Sequence, residues 1–191
     1  MKNYEKELPA GYREIYTIDA ADKKTGLTLN LIGGAIMAVL IALSILVIRP
    51  GNILEGLTVL RWLVTMIIFA AYLVLHELTH GAAYKLLTGQ KLTFGLTLSV
   101  AYCGVPNIYV YRRASMIALL APFCVFTVVF GAAVLLLQNP WDKLFAAFIL
   151  SMHLGGCVGD LYDTGLYLFR FRDPRTLMRD TGPKQTFYME G

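Results

Sequence analysis

Two histidines and a glutamate stand close together in a strongly apolar stretch, in the segment His76-Glu77-Leu78-Thr79-His80. Residues four apart in an α-helix point in nearly the same direction, because each residue turns the helix by about 100°. His76 and His80 can therefore hold one metal ion, and neutral imidazoles suit zinc. Zinc lowers the pKa of a bound water from about 15.7 to about 7. Glu77 can accept that water's proton and pass it to a leaving amine, so the motif predicts zinc-dependent hydrolysis with Glu77 as general base.

The alternative for this segment is a helix end at which polar side chains meet a membrane interface, since Lys85 follows closely. Two observations favour the metal site. Ionisable groups inside a membrane span cost about 2.5–3.5 kcal/mol each, so they are seldom kept without a use. The motif also takes two of the three histidines of the chain. We therefore expect zinc as the cofactor.

Zinc needs a third protein ligand if one position is to stay open for water, and three ionisable residues follow later: His153, Asp160 and Asp163. Counted back from the basic residue that ends each apolar segment, the motif histidines and Asp163 lie about 10 Å deep, Asp160 about 15 Å and His153 about 25 Å. The glycine-rich stretch Gly155–Gly159 adjoins Asp160, and glycine permits backbone shapes that turn a carboxylate inward. We expect Asp160 to be the ligand, with Asp163 on the same face supporting or replacing it. His153 reaches the metal only through a broken helix, and otherwise supports the ligands or bonds within the bundle.

Four apolar blocks must position these residues. The chain has 191 residues, of which 57% are hydrophobic and 16% charged, whereas soluble domains are nearer to about half apolar and a quarter charged. The blocks are Leu27–Ile48, Trp62–Leu75 running on into the motif, Ala114–Leu137 and Leu144–Phe169. A membrane-spanning helix needs about 20 mostly apolar residues, and helices of a soluble bundle need a polar stripe that these lack. We expect an all-α membrane bundle of four transmembrane helices.

The positive charges are placed unevenly between the ends of these helices. Fourteen of the 17 lysines and arginines fall before the first helix, between the second and third, and after the fourth; the exceptions are Arg49, Arg61 and Lys143. The positive-inside rule then predicts a cell membrane protein with both termini in the cytoplasm. The net charge of +4 reflects this topology, so we expect no nucleic-acid partner. The cysteines Cys103, Cys124 and Cys157 are odd in number and widely spaced, and we interpret them as small apolar fillers.

The sequence is predicted to have a membrane core at residues 27–170, preceded by a cytoplasmic arm at residues 1–26 and followed by a cytoplasmic tail at residues 171–191. Between the second and third helices, residues 92–102 alternate apolar and polar with a period of two, which predicts a strand. A turn at Cys103–Asn107 and a returning strand at Ile108–Tyr111 would complete a cytoplasmic-side β-hairpin over residues 91–111. The alternative is a connecting loop.

Taken together, these motifs resemble the intramembrane zinc metalloproteases of the site-2 protease clan. The resemblance rests on the HExxH motif in an apolar helix, the β segment after it, Ala121-Pro122 in the next helix and Gly159-Asp160 in the last. It is strongest to the small bacterial membrane proteins known as putative zincin peptidases, and covers roughly residues 62–169. Site-2 proteases usually carry an Asp-Gly step for the third ligand, where this chain has Gly159-Asp160.

The resemblance implies a zinc-dependent intramembrane endopeptidase in which His76, His80 and Asp160 bind zinc and Glu77 is the catalytic base. Its partners would be the lipid bilayer and a membrane-protein or peptide substrate. The other hypothesis is a non-catalytic zinc-binding membrane scaffold or chaperone-like factor. Glu77 separates the two, because zinc binding requires the histidines but a scaffold does not require the base.

Overall fold

A computed structural model describes residues 2–96 and 101–191, and most of these residues are helical. The helices in the described residues are α1 (Lys23–Ile48), α2 (Ile53–Gly56), α3 (Val59–Thr88), α4 (Arg112–Leu136), α5 (Pro140–Gly156) and α6 (Val158–Phe169). Three of them, α1, α3 and α4, are long and apolar enough to cross a membrane. The pair α5–α6 passes the same test as one broken span, bent by 47°. These helices indicate a multi-pass membrane protein.

The long helices leave large apolar side chains uncovered by protein. Val47 in α1 is 79% exposed, Leu86 in α3 is 87% exposed and Leu135 in α4 is 78% exposed. Such surfaces are costly in water and cost nothing in lipid, where a helix also satisfies all of its own backbone groups. The exposed apolar surfaces of α1, α3 and α4 are therefore suited to a lipid environment.

The fourth apolar block is not one helix. The Asn139 side chain accepts hydrogen bonds from the backbone N–H groups of Trp141 and Asp142 and caps the start of α5, where Pro140 occupies the first turn. The helix ends at Gly156, and Cys157 closes it with a bond from its N–H to the carbonyl of His153. The break lies in the glycine-rich stretch, at the position where the sequence analysis allowed one.

Two antiparallel sheets accompany the helices, so the expectation of an all-α bundle needs correction. The strands of the larger sheet are β1 (Tyr4–Glu5), β2 (Tyr12–Asp19), β5 (Tyr109–Tyr111), β6 (Leu177–Asp180) and β7 (Lys184–Glu190). They lie in the order β1-β5-β6-β7-β2. The N-terminal arm, the connection between α3 and α4, and the C-terminal tail therefore pair in one sheet, which the sequence did not indicate.

The predicted hairpin has different strands from those expected. Strand β3 (Thr93–Leu96) pairs with β4 (Ala101–Gly104), and residues 97–100 lie outside the described residues. The returning strand predicted at residues 108–111 instead joins the large sheet as β5, beside β1 and β6. Tertiary contacts explain the difference. The Val105 N–H donates to the carbonyl of Asp180, so the chain after β4 is tied to β6 and does not fold back on β3.

The chain divides into two compact units, each with its own core. The sheet unit comprises Met1–Leu29, His76–Pro122 and Gly159–Gly191; the helix unit comprises Asn30–Leu75 and Phe123–Val158. Aromatic and aliphatic side chains such as Tyr84, Val110 and Phe187 fill the core of the sheet unit, and Tyr72, Phe126, Phe130 and Ile149 fill that of the helix unit. The predicted site residues other than His153 lie in the sheet unit.

Candidate metal centre

The HExxH segment is helical, in α3. Its neighbours are mostly straight-chain and aromatic apolar residues without an internal proline, so nothing interrupts the helix before Thr88. His76 and His80 lie one turn apart, with ring centroids separated by 5.0 Å. His80 is buried at 7% exposure and His76 is half-buried. The two imidazoles therefore lie on one face of α3, as their four-residue spacing predicts.

Asp160 lies in the first turn of α6 and meets both histidines. Its Oδ2 atom is 3.5 Å from His76 Nε2 and 3.3 Å from His80 Nε2. One potential ligand atom from each of the three residues falls within 4.8 Å of the others. The break at Cys157 starts α6 shortly before Asp160, which sets the direction of this carboxylate.

The three residues fit zinc. Ligand atoms bound to zinc at about 2.0–2.1 Å and tetrahedral angles lie about 3.4 Å from one another, and the two nitrogen–oxygen distances here are 3.3 and 3.5 Å. Two imidazoles and one carboxylate are also the donor set of hydrolytic zinc sites, which keep a fourth position open for water or substrate.

A backbone carbonyl orients one of the histidines. His80 Nδ1 lies 2.9 Å from the carbonyl oxygen of Ala118 in α4. A carbonyl oxygen only accepts, so Nδ1 carries the proton and donates, and the lone pair of the neutral ring is on Nε2. Nε2 is the nitrogen that faces Asp160. This partner fixes both the tautomer and the rotation of the ring, as contacts around metal ligands commonly do.

Glu77 lies beside this group and touches β4. Its half-buried carboxylate accepts a hydrogen bond from the backbone N–H of Cys103. Phe94 of β3 packs close to Gly81, where any side chain on the glycine would collide with the ring. The two-stranded sheet therefore lies against the motif helix, next to the expected base.

The Cys103 thiol is buried beside the group. Burial, together with the nearby Asp180 and Glu77 carboxylates, raises the pKa of this thiol to about 12. Without a bound metal the thiol is therefore neutral at physiological pH. Cys124 is exposed and Cys157 is buried, and both are free thiols.

Within the sheet unit, the other carboxylate candidate, Asp163, does not join the group. Asp163 lies one turn after Asp160 in α6, is buried at 4% exposure, and its Oδ1 atom has no hydrogen-bond partner. In the sheet unit the ligand atoms that converge belong to His76, His80 and Asp160. His153 belongs to the helix unit, where it is fully buried and bonded to Tyr72 and Thr127.

A further buried contact lies one helical turn after His80 in α3. Tyr84 follows His80 by four residues, and its hydroxyl donates a 2.7 Å hydrogen bond to the Asp180 carboxylate at the end of β6. Both side chains are buried. Asp180, the Ala118 carbonyl and the Cys103 N–H were not expected from the sequence. Only Tyr84 offered a signal, since its spacing extends the histidine stripe; backbone groups carry none.

The apolar helices and the histidine–carboxylate group define a class, that of helical proteins with a zincin-type site. A model of the family described as "Putative zincin peptidase" matches residues 69–173, more than half of the chain. The chain belongs to this zincin-like metallopeptidase family, which implies zinc as the metal. The comparisons with curated proteins and with solved structures gave no match.

Proposed function

We propose that the protein is a zinc-dependent endopeptidase that cuts a membrane-associated substrate within the bilayer, as site-2 proteases do. The observation that carries this proposal is the convergence of His76, His80 and Asp160 at zinc-ligand spacing. Glu77 is the next residue in the same helix, and that helix is long and apolar enough to cross a membrane.

Each residue has a defined part in this reaction. The imidazoles of His76 and His80 and the carboxylate of Asp160 would hold the zinc ion. When bound, zinc would supply the Lewis acidity that polarises a peptide carbonyl and makes water nucleophilic at neutral pH. Glu77 accepts the proton of the attacking water and delivers it to the leaving amine. The Cys103 N–H keeps the Glu77 carboxylate in place between these two transfers.

The arrangement in the membrane follows from the large sheet. Paired strands lie only about 4.8 Å apart, and an open sheet edge is not tolerated in lipid. Strands of one sheet therefore lie on the same side of the bilayer. Its strands come from before α1, from between α3 and α4, and from after α6. An even number of spans must therefore separate these segments. This supports four spans, with α5 and α6 together forming the last.

The basic residues indicate which side that is. The three segments that contribute strands, together with the helix ends that adjoin them, hold 14 of the 17 lysines and arginines. We therefore assign the sheet and both termini to the cytoplasm. In a variant without its native cysteines, a membrane-impermeant maleimide added to intact cells should label Asn52→Cys and spare Lys24→Cys. Labelling of Lys24→Cys alone would reverse the topology.

The two-stranded sheet is suited to hold the substrate. A scissile bond must leave its helix, and its freed N–H and C=O groups then need partners in a site with little water. A strand edge supplies them whatever the side chains are. In the described residues β3 pairs only with β4, and Glu77 contacts β4. Single prolines from Thr93 to Ser99 should abolish cleavage at alternate positions while zinc stays bound. Uniform effects would make the sheet structural.

The decisive experiment separates the peptidase from a zinc-binding scaffold. Glu77→Gln should lower cleavage by roughly 10²–10⁴-fold, because an amide does not accept the proton, while zinc per protein stays at the wild-type level. New N-termini in the membrane proteome of expressing cells, found by mass spectrometry, report cleavage of whichever membrane protein is the substrate. Glu7→Gln, an exposed glutamate, is the matched control. Equal sets of N-termini from wild type and Glu77→Gln would favour the scaffold.

A further inference from the structure

Pro122 stands inside α4, fully buried, with helix on both sides of it. Proline has no N–H, so it cannot close the helical hydrogen bond to the carbonyl four residues earlier. Its ring also crowds that carbonyl and pushes it away from the helix axis. Four residues before Pro122 is Ala118. The Ala118 carbonyl therefore lacks its helical donor, in a place where Ala118 itself is fully buried.

That same carbonyl is the one that accepts the hydrogen bond from His80 Nδ1, at 2.9 Å. A buried carbonyl without a hydrogen-bond donor is costly. The missing N–H of Pro122 therefore favours the ring orientation in which His80 Nδ1 donates to the Ala118 carbonyl. The bond in turn keeps the proton on Nδ1 and leaves the Nε2 lone pair facing Asp160, 3.3 Å away. The proline and the ligand are linked through one carbonyl group.

We propose that Pro122 is a positioning residue of the metal centre: by withholding a backbone N–H it frees the Ala118 carbonyl to set the tautomer and rotation of His80. The inference rests on the proposed zinc site. It gives a chemical reason for a proline inside a helix that otherwise has good helix-forming and apolar residues. The Ala-Pro step acts as part of the site without touching the metal.

The main test restores the missing donor. In Pro122→Ala the residue 122 N–H can bond to the Ala118 carbonyl and draw it back toward the helix axis. Nitrogen NMR of the ring resonances reports the tautomer directly. It is recorded on metal-free protein that carries Asp160→Ala, because the Asp160 carboxylate, 3.3 Å from His80 Nε2, would otherwise compete with the Ala118 carbonyl for the ring protons, and at a pH where the ring is neutral. The chain has only three histidines, so His→Asn variants assign the signals. In this background we expect the Nδ1–H form of His80 to dominate when Pro122 is present and to become a mixture in Pro122→Ala.

Zinc affinity is the second readout, measured by competition with a chelator. Loss of a hydrogen-bond partner behind a metal ligand typically weakens binding by about 10–100-fold, and we expect Pro122→Ala to fall in this range. Pro140→Ala is the matched control, because Pro140 occupies the first turn of α5, where a missing N–H leaves no carbonyl without its donor. It should leave both the tautomer and the affinity unchanged.

A rescue variant distinguishes the missing N–H from the shape of the proline ring. Lactic acid incorporated at position 122 has the side chain of alanine but an ester oxygen in place of the N–H. It should restore both the His80 tautomer and zinc affinity relative to Pro122→Ala. If Pro122→Ala does not fold, the ester at 122 still tests the same donor, since it also lacks the N–H while removing the ring.

The outcomes are distinct. An unchanged His80 tautomer in Pro122→Ala, or a lactic acid variant that behaves like the alanine variant, would overturn the proposal. So would a tautomer shift without weaker zinc binding, or the same shift in Pro140→Ala. Because the tautomer is read in metal-free protein, a wild type that binds no zinc would contradict the proposed function and still leave the link between Pro122 and His80 to be judged.

Discussion

Two buried histidines in apolar helices have opposite surroundings in this protein. In the sheet unit, His80 uses Nδ1 for the Ala118 carbonyl and turns Nε2 toward Asp160. In the helix unit, His153 uses both nitrogens within the chain. Its Nε2 lies 3.3 Å from the carbonyl of Phe123 and 3.1 Å from the hydroxyl of Thr127, and its Nδ1 lies 3.0 Å from the Tyr72 hydroxyl.

The two rings therefore carry opposite tautomers. A carbonyl only accepts, so His153 donates from Nε2 to Phe123 and accepts from the Tyr72 hydroxyl at Nδ1. Rings of Tyr72, Phe126 and Phe130 surround it within 6.0 Å. Within the helix unit both ring nitrogens of His153 have protein partners, whereas His80 keeps Nε2 directed at Asp160. Residue type and burial alone do not separate these two surroundings; the partners of each nitrogen do.

The largest expected effect comes from exchanging the two histidines for alanine in turn. His80→Ala should weaken zinc binding by more than about 100-fold, since loss of a supporting contact alone costs about 10–100-fold. His153→Ala should keep zinc affinity within a few-fold but lower the unfolding temperature in detergent, because it empties a packed site and strips Tyr72 of its acceptor. Chelator competition and thermal unfolding measure the two quantities. Equal zinc losses would abolish the distinction.

The carboxyl groups of α6 repeat the contrast on a smaller scale. Asp160→Ala should weaken zinc binding by about 100-fold, for the same reason as His80→Ala. Asp163→Ala should lose much less and should not reduce stability, because its buried Oδ1 has no partner to lose and removing an unsatisfied buried carboxyl can stabilise a fold. Zinc content and unfolding temperature are again the measurements. A reversed order of zinc loss would make Asp163 the third ligand.

Asp180 is a carboxylate whose oxygens, like the nitrogens of His153, are used within the chain. It accepts from the Tyr84 hydroxyl and from the Gly182 N–H, yet burial raises its pKa from 3.8 to about 6. Because the folded pKa lies above the unfolded one, the stability linked to this proton is complete below about pH 3.8 and is lost as pH rises through about 6.

Asp180→Asn should remove this dependence. The wild type should lose about 2 kcal/mol of unfolding free energy between about pH 4.5 and pH 7 from this group, and the variant should not. The comparison is made on metal-free protein, so that zinc release from the histidines does not enter. Parallel stability curves for the two proteins would show that Asp180 ionises with an ordinary pKa.

The side chains that converge as the candidate metal centre carry local signals in the sequence. The spacing of His76 and His80 within one helix, and the glycines beside Asp160, specify direction and flexibility over a few residues. Apolar runs long enough to cross a bilayer are equally local. The predicted blocks agree with α1 and α4 to within a few residues, whereas α3 continues past the motif to Thr88.

The sheets were poorly predicted because their pairing is distant and their strands are short. Strand β1 has two residues and β5 has three, too few for a period of two to be visible, and Tyr4 pairs with Val110 across most of the chain. The predicted hairpin turn at Cys103–Asn107 contains real turn residues. These residues do not form the predicted hairpin turn, because Gly104 packs against the backbone at Gly182 with no room for a side chain.

The smallest expected effect concerns the hydroxyl that holds His153 in its tautomer. Tyr72→Phe removes the donor to His153 Nδ1 and leaves the ring packed in place. The cost should be about 1 kcal/mol of unfolding free energy, the usual value for one buried hydrogen bond, with zinc affinity unchanged. Tyr12→Phe is the matched control, because the Tyr12 hydroxyl donates to the Arg175 carbonyl at the exposed surface and its loss should cost less.

The Nε2–H signal of His153 should persist in Tyr72→Phe, since the Phe123 carbonyl still accepts from that nitrogen. A change to the Nδ1–H form, or a loss of zinc, would mean that the two histidines are not independent and that the tyrosine contributes to the metal site.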